Sequence, residues 1–216
     1  FGQKKLSVTG NSVKNDIRCV AYNAFNITML TSSKTYIFQE FDLKGQSKGK
    51  ITLTQKQLGK KSYVAGKGIY FNNKLVVAIS TPIYGKSFNE IKLLEIDFKK
   101  STHRFIDIGS NEVYIDQPYF KLVDEKLYLA YATPSLSFKV VLLDESLKAT
   151  KKYEQKVRND GYYLSMNSFH VYDTYIIMGG LFKQSVNVLT YFNTATNAKK
   201  TLFLKPQQHL AEMYYT

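Results

Sequence analysis

The chain has few of the residues that build disulfide and metal sites: one cysteine, three histidines and no tryptophan among 216 residues. Cys19 has no partner for an internal disulfide, and its place in an apolar stretch predicts a buried structural thiol. His103, His170 and His209 lie far apart, without metal-ligand spacing to Cys19 or to an acid. No glycine loop leads from a strand into a helix, as a phosphate cradle requires. The sequence therefore predicts no metal site and no cofactor.

Long apolar runs are also absent, and the longest ones are far too short to span a bilayer. We therefore predict no transmembrane segment.

The first residues, Phe1-Gly2-Gln3-Lys4-Lys5, place a small residue before a polar stretch, as at a signal-peptidase junction. A cloning boundary explains the same residues equally well. On this basis we expect an extracytoplasmic or secreted protein.

Acidic residues are outnumbered: 30 Lys and Arg against 17 Asp and Glu give a formal net charge of +13. Such a surface favours acidic partners, such as nucleic acid, anionic lipid, acidic glycans or an acidic protein. Arginine, whose planar fork reads phosphates and base edges, occurs only as Arg18, Arg104 and Arg158. We therefore predict no sequence-specific binding of nucleic acid.

Many lysines come in pairs, and most pairs fall where turns are expected. If the units of the chain repeat in space, some of these turns share one face and form a basic rim. Solvated loops in a lysine-rich protein are the alternative. The pairs are Lys4-Lys5, Lys60-Lys61, Lys99-Lys100, Lys151-Lys152 and Lys199-Lys200.

The main pattern present is a fourfold repeat of roughly 50 residues, a spacing that fits a four-stranded propeller blade. Two landmarks keep this step along the chain: the start of a second strand and the end of a third strand. Turn residues of the Asn and Asp type accompany both landmarks, because they tolerate left-handed backbone and bond their own main chain. The second strands are predicted to start at Ile27, Leu75, Leu127 and Tyr175, and the third strands to end at Asp42, Asp97, Asp144 and Asn193.

Composition favours β structure, since 17 Tyr and 14 Phe accompany β-branched residues in the apolar runs. We predict an all-β fold, a β-propeller-like array of about four four-stranded blades, either complete or part of a larger ring. A meandering β-sandwich is the alternative. Residues 1–16 are expected to form a tail or a ring-closing strand, and 17–216 a single domain. Its units cover about 17–59, 60–110, 111–160 and 161–205, followed by a C-terminal tail.

The last unit resembles a kelch repeat, a family of propeller blades. Its apolar run Tyr175-Ile176-Ile177-Met178 leads into Gly179-Gly180, and Tyr191-Phe192-Asn193 begins the aromatic, amide and turn residues that kelch blades carry. The resemblance implies a propeller that serves as a protein-binding platform. The chain departs from kelch because it lacks tryptophan. The other units also replace the glycine pair, with Leu30-Thr31-Ser32, Ile79-Ser80-Thr81 and Tyr131-Ala132-Thr133.

Three functions are compatible with these features. The expected one is a non-catalytic propeller that binds proteins or is a subunit of a larger assembly, for which tyrosines supply anchors. The alternative is an extracellular module that binds carbohydrate or another polyanion through a Lys- and Tyr-rich rim. A propeller-type hydrolase is the third. The candidate binding residues are Tyr84, Tyr114, Asp116, Tyr119, Tyr162, Tyr163, Lys60, Lys61, Lys99 and Lys100.

Catalysis is not expected, because glycoside hydrolysis needs a pair of carboxylates. Asp116, flanked by Tyr114 and Tyr119 before an inner strand, suits binding of a sugar or a cation, and a turn-capping role is its ordinary interpretation. The corresponding positions of the other units supply no second carboxylate. No Gly-x-Ser-x-Gly elbow and no arrangement of Ser, His and Asp can be placed in one site. We therefore predict no catalytic residues and expect that the chain is not an enzyme.

Overall fold

The computed structural model describes residues 16–32, 34–108, 112–114, 118–158, 163–183 and 185–204. Within them, 17 strands and one short helix form four sheets, each with four strands in sequential order. This confirms the predicted all-β class with four-stranded, propeller-like blades. The predicted N-terminal tail falls outside the described residues except for Asp16, and the C-terminal tail falls outside them.

The four sheets, named blades 1 to 4, follow one another along the chain. Blade 1 contains β1 (Asp16–Tyr22), β2 (Asn26–Ser32), β3 (Thr35–Asp42) and β4 (Ser47–Thr54). Blade 2 contains β5 (Tyr63–Phe71), β6 (Lys74–Pro82), β7 (Phe88–Asp97) and β8 (Thr102–Ile106), and β9 (Glu112–Tyr114) pairs with the start of β7. Blade 3 contains β10 (Tyr119–Val123), β11 (Lys126–Thr133), β12 (Ser137–Leu143) and β13 (Ala149–Lys156). Blade 4 contains β14 (Leu164–Tyr172), β15 (Tyr175–Phe182), β16 (Val186–Asn193) and β17 (Lys199–Leu204).

The turn after each third strand repeats in all four blades. A side-chain oxygen of Asp42 accepts hydrogen bonds from the backbone of Lys44 and Gln46, each at 2.9 Å. Asp97, Asp144 and Asn193 accept backbone hydrogen bonds in the same way. Because a short acid or amide can replace a backbone acceptor, these residues end the strand and fix the turn. The third strands of blades 1, 2 and 4 end at the predicted residue, and that of blade 3 ends at Leu143, one residue before the predicted Asp144.

The turn between the first and second strands is a two-residue hairpin in blades 2 and 3. Its central residues have positive φ: 48° and 60° at Asn72 and Asn73, and 48° and 60° at Asp124 and Glu125. Positive φ at both positions gives the backbone twist that matches paired strands. The second strands of blades 1 to 3 begin one residue earlier than predicted, and that of blade 4 begins at Tyr175, as predicted.

The helix α1 (Gln55–Leu58) was not expected from the sequence. Thr54 caps it, because its hydroxyl accepts from the backbone N–H of Gln57 and the Gln57 side chain accepts from the backbone N–H of Thr54. This reciprocal pair satisfies two amide groups at the helix start. A single turn has no room for helical periodicity, and only Leu58 is buried on it.

The chain divides into two compact units. The first holds the described residues up to 82 and 91–108, and the second holds 83–90 and those from 112 onwards. In the first unit, blade 1 packs against blade 2 through a core that includes Phe38, Leu53, Leu75 and Leu94. The guanidinium of Arg18 also donates to the Val64 carbonyl at 2.5 Å, which ties the first strands of both blades together.

In the second unit, blade 3 packs against blade 4 through a core that includes Phe138, Val140, Met178 and Val188. The approach is close at Gly180, where an added Cβ would lie 2.8 Å from the Phe138 ring and closer still to the Ser165 carbonyl. Glycine is therefore required here by space and not by backbone conformation. We call the side of blade 3 that meets blade 4 its front face, and the contacting side of blade 4 its back face.

The same terms apply to the first unit, where the front face of blade 1 meets the back face of blade 2. On β1, Val20 belongs to this front-face core, whereas the alternate residue Cys19 points to the back face. Cys19 is exposed. The prediction of a buried thiol was therefore wrong, because the apolar run around Cys19 is covered on one side only.

Candidate binding surface on the outer strands

The fourth strand of each blade carries most of the positive charge found in the sheets. Strands β4, β8, β13 and β17 together hold eight Lys or Arg residues and a single acid, Glu154. These outer strands lie at the edges of their sheets, and their lysines are exposed. The basic surface is therefore built mainly on strands and not only on the turns that the lysine pairs suggested.

In the first unit two of the three outer-strand cations, Lys48 and Arg104, have acidic partners on the neighbouring strand. Arg104 donates two hydrogen bonds to the Glu95 carboxylate, at 2.8 and 3.1 Å, and Lys74 donates a third at 3.0 Å. Burial alone would raise the pKa of Glu95, but the bonds from Arg104 and Lys74 hold it below its usual range. Lys48 lies 3.3 Å from Asp42. Positive charge on this unit is thus partly neutralised within the blades.

An open pocket of about 290 Å³ adjoins this carboxylate on blade 2. It is lined by both signs of charge, with Glu95 and Asp97 among Lys74, Lys100 and Arg104. Because the two cations that touch Glu95 already satisfy it, the pocket presents a mixed surface. This arrangement is typical of a surface ion-pair network.

The second unit differs because its third strands, β12 and β16, contain no acidic residue. The residues opposite Lys151, Lys152 and Lys200 are Leu142, Val141 and Tyr191. Among the ion pairs of the described residues, none involves Lys151, Lys152, Lys199 or Lys200. These four lysines form what we call the lysine strip. Its positive charge is not neutralised by neighbouring strands.

Two aromatic rings organise the lysine strip between blades 3 and 4. The Lys151 ammonium lies 5.0 Å from the Tyr153 ring centroid, and the Tyr153 and Phe192 rings meet edge to face at 4.9 Å. Lys199 lies opposite Phe192 on the next strand. Gln155 also donates to the Thr201 hydroxyl at 3.3 Å, which holds β13 close to β17. Lys151 and Lys199 therefore lie on the facing sides of the two outer strands, whereas Lys152 and Lys200 point to the other sides of their sheets.

A separate open groove of about 560 Å³ lies on the front face of blade 4. The Tyr175 and Tyr191 rings line it with centroids 6.4 Å apart, together with Ile177 and Leu189. Asn193, Thr196 and Ala198 form its polar end. Its lining is mostly apolar, in contrast to the lysine strip.

A buried polar cluster lies inside the first unit. The Thr28 and Tyr70 hydroxyls are 2.5 Å apart, and Tyr70 also bonds the Glu40 side chain. Burial raises the pKa of both Glu40 and Tyr70, and for Glu40 the Tyr70 bond and the charges of Lys99 and Lys48 act in the opposite direction. The cluster is enclosed by the sheets, so we assign it a structural role.

The predicted lysines are exposed and lie in turns of the first unit. Lys60 and Lys61 precede β5, and Lys99 and Lys100 lie between β7 and β8. Because blade 2 is a four-stranded meander, the first pair lies at one end of its strands and the second pair at the other. The structure does not bring these two pairs together.

The predicted tyrosines have different environments. Tyr84 is 98% exposed in the connection before β7. Tyr119 is half-buried and packs against the core of the second unit. Tyr163 is half-buried, and its carbonyl accepts from the Lys183 backbone at 3.0 Å. Asp116 and Tyr162 fall outside the described residues, and of Tyr114 only its place in β9 is described.

The sequence shows both lysine pairs of the strip but predicts that most lysine pairs lie in turns, whereas these two pairs lie on β13 and β17. A signal that could have placed them on a strand is the period-2 spacing of β13, which puts Lys151 on the face of the buried Tyr153 and Lys152 on the other face with Glu154. The described His, Cys, Asp and Glu side chains form no group of three that could hold a metal. No helix in the described part of the chain has the length and hydropathy for crossing a membrane.

No protein family profile matches the sequence, and no curated protein is significantly similar to it. Solved structures with a similar fold include xyloglucan PUL GH43B of Bacteroides ovatus, with 11% identity, a TM-score of 0.47 and 90% of this chain covered. The chain corresponds to 40% of that protein's length. An uncharacterized Listeria monocytogenes protein gives 11% identity and a TM-score of 0.44, over 93% of this chain and 70% of the other. At this identity the likeness concerns the arrangement of strands alone.

The expectation that the chain is not an enzyme is contradicted, because a GH43 glycoside hydrolase is among the chains of similar fold. The physical reason is that one scaffold can carry either a binding site or a catalytic site, depending on the side chains placed on it. The exclusion also depended on Asp116, which falls outside the described residues. The prediction that the propeller is non-catalytic is therefore wrong as a general exclusion.

Proposed function

We propose that the chain is a propeller-like module that binds an acidic polysaccharide through the lysine strip of its second unit. The observation that carries this proposal is the set of four exposed lysines without acidic partners on β13 and β17. Unneutralised charge attracts an anion more strongly than charge already paired within the protein. On the outer strands of the first unit, Lys48 and Arg104 pair with Asp42 and Glu95, and among the described Lys and Arg residues of these two strands only Lys50 has no ion pair.

The chemistry of the lysine strip favours a carboxylated or sulfated glycan over nucleic acid. An ammonium group is a compact point charge that accepts many anion geometries, whereas base recognition favours arginine, and the strip contains none. Binding to single strands also uses aromatic rings as stacking platforms. The rings in the strip, Tyr153 and Phe192, are buried between the blades and offer no such platform.

The ligand class also supports a location outside the cytoplasm, where acidic polysaccharides are common surface polymers. Tyr153 packs against Phe192 and contacts the Lys151 ammonium, so its role is to position Lys151. The groups that bind the ligand are the lysine ammonium groups. A protein-binding role, as the kelch resemblance implies, is a second candidate. The apolar groove on the front face of blade 4 supports it.

The test compares two quadruple variants that lose the same charge. One replaces Lys151, Lys152, Lys199 and Lys200 with Gln, and the matched control replaces Lys60, Lys61, Lys99 and Lys100 with Gln. Binding to polygalacturonate and to neutral dextran is measured by affinity electrophoresis at rising NaCl. With roughly 0.2–1 kcal/mol for each of four exposed ionic contacts, the strip variant should bind polygalacturonate between about fourfold and several hundredfold more weakly.

The control variant should bind close to the wild type, and dextran should not be retained by any of the three proteins. Binding should weaken as salt rises, because exposed charges are screened. Equal losses in both variants would show that net charge, and not the lysine strip, attracts the polymer. Retention of dextran equal to that of polygalacturonate would rule out recognition of acidic groups.

A further inference from the structure

The front face of blade 4 is apolar but only half covered. Ile177, Leu181, Leu189 and Leu202 on this face are all half-buried, and Tyr175 is 42% exposed. Of these, Tyr175, Ile177 and Leu189 line the groove of about 560 Å³. A contiguous apolar patch of this kind on a sheet is typical of an interaction surface.

The corresponding face of blade 3 shows how such a face is covered. Val140 lies four residues before the turn residue Asp144 of blade 3, and Leu189 lies four residues before the turn residue Asn193 of blade 4. The two residues therefore occupy equivalent positions in their blades. Val140 is fully buried, since blade 4 packs its back face against it, whereas Leu189 is half-buried. The front face of blade 4 is therefore equivalent to the front face of blade 3, which is covered by a neighbouring blade.

The residues that cover blade 3 are repeated on the back face of blade 1. In blade 4 the covering residues are Ile176, Met178, Val188 and Phe192, and all are buried. The same registers in blade 1 place Ile27, Met29, Ile37 and Phe41 at these positions. Of these, Phe41 is buried while Ile27, Met29 and Ile37 are half-buried.

The inner strand of blade 1 continues this back face towards solvent. Ile17 is 46% exposed, and Cys19, two residues later on the same face, is exposed as well. The front face of blade 4 and the back face of blade 1 are thus both half covered. Their apolar side chains resemble those that pack together between blades 3 and 4.

We infer that the front face of blade 4 binds the back face of blade 1 of a second copy of this chain. The pairing of blade 3 with blade 4 is the template, because the back face of blade 1 has Ile, Met and Phe at the same positions and Ile37 in place of Val188. Thr31 stands at the position of Gly180, so we expect the two blades to meet at a somewhat larger separation there.

The described residues of the middle strands put no charged side chain on either face, so apolar burial drives the association. The outer strands add one lysine to the edge of each face, Lys50 in blade 1 and Lys200 in blade 4. A contact between two different faces is head to tail, and it forms rings or filaments according to whether the rotation closes.

The first test uses one charge on each face. Leu189→Lys alters the front face of blade 4, and Ile17→Lys alters the back face of blade 1. Sedimentation equilibrium should show self-association of the wild type, and each variant should associate roughly tenfold or more weakly. An equimolar mixture of the two variants should associate again, because the mixed pair retains one unaltered face of each kind. Leu43→Lys, at a 62% exposed turn position, is the matched control and should behave as the wild type.

A second test does not depend on how the Lys variants fold. Cys19 is the only cysteine, so Ile177→Cys adds one thiol on the opposite face. A short bismaleimide should give covalent dimers with Ile177→Cys and not with the wild type or with Leu43→Cys. A wild type that remains monomeric at high micromolar concentration would overturn the inference, and so would a mixture that fails to associate or a link between two cysteines of one chain.

This inference is independent of the proposed glycan binding. Because Lys200 lies on the front face of blade 4 beside Tyr191, the comparison uses the blade 3 double variant Lys151→Gln, Lys152→Gln, which should still self-associate, while Leu189→Lys should still bind polygalacturonate. Failure of one proposal is therefore distinguishable from failure of the other.

Discussion

The Thr28 and Tyr70 hydroxyls lie 2.5 Å apart and join the second strand of blade 1 to the first strand of blade 2. Thr28 is fully buried and Tyr70 is 7% exposed. Because water does not reach the pair, each hydroxyl depends on the other and on nearby protein groups for its hydrogen bonds. The contact between these two blades thus combines an apolar core with one enclosed polar link.

Replacement of Tyr70 with Phe should reduce the free energy of unfolding by about 1–3 kcal/mol, since Thr28 and Glu40 would lose a buried partner. Urea denaturation followed by circular dichroism measures the change. Tyr84→Phe removes a hydroxyl from a side chain that is 98% exposed, and it should leave stability unchanged. Equal stability of both variants would show that the link contributes nothing net.

Replacement of Glu40 with Gln should change how stability depends on pH. Burial raises the pKa of Glu40 in the folded protein, so the folded state holds this proton to higher pH than the unfolded state does. Its contribution is complete below the unfolded pKa of about 4.3 and is lost as pH rises through the folded pKa. The wild type should therefore lose stability relative to Glu40→Gln as pH rises across that window. Parallel profiles of the two proteins would contradict this assignment.

Replacement of Glu95 with Gln should have the opposite dependence on pH. Hydrogen bonds from Arg104 and Lys74 hold the pKa of Glu95 below its usual range, so its contribution is present above the unfolded pKa and is lost as pH falls through the folded pKa. Because the Arg104 side chain is half exposed, we expect a loss of about 1 kcal/mol at neutral pH.

The difference between wild type and Glu95→Gln should then vanish in acid. Glu145→Gln, at an exposed turn position, is the control and should leave the free energy of unfolding unchanged at neutral pH. A constant difference from neutral to acid pH would mean that the lost contacts do not depend on the charge of Glu95.

The fold was largely accessible from the sequence because its signals are local. Asp42, Asp97, Asp144 and Asn193 end the third strands through hydrogen bonds to their own turns, and these residues recur at nearly constant spacing. The helix α1 was missed because its capping pair, Thr54 and Gln57, spans a single turn.

The candidate site was less accessible, because it depends on which face of a strand is covered. The sequence shows that Cys19 lies in an apolar stretch, but only the packing of blade 1 shows that its face is half covered. Lys151 and Lys199 lie far apart in sequence and become neighbours through the contacts of Tyr153 with Phe192 and of Gln155 with Thr201. Such long-range placement has no local signature.

The lysines of β13 and β17 have a consequence for the solubility of this protein. Both strands lie at the edge of their sheets, where one row of backbone N–H and C=O groups has no partner within the sheet. Exposed edges of this kind invite pairing with strands of other molecules and the growth of amyloid, and lysine is one of the residues that prevent it. The lysines proposed to bind the polysaccharide therefore also protect these edges from pairing with other chains.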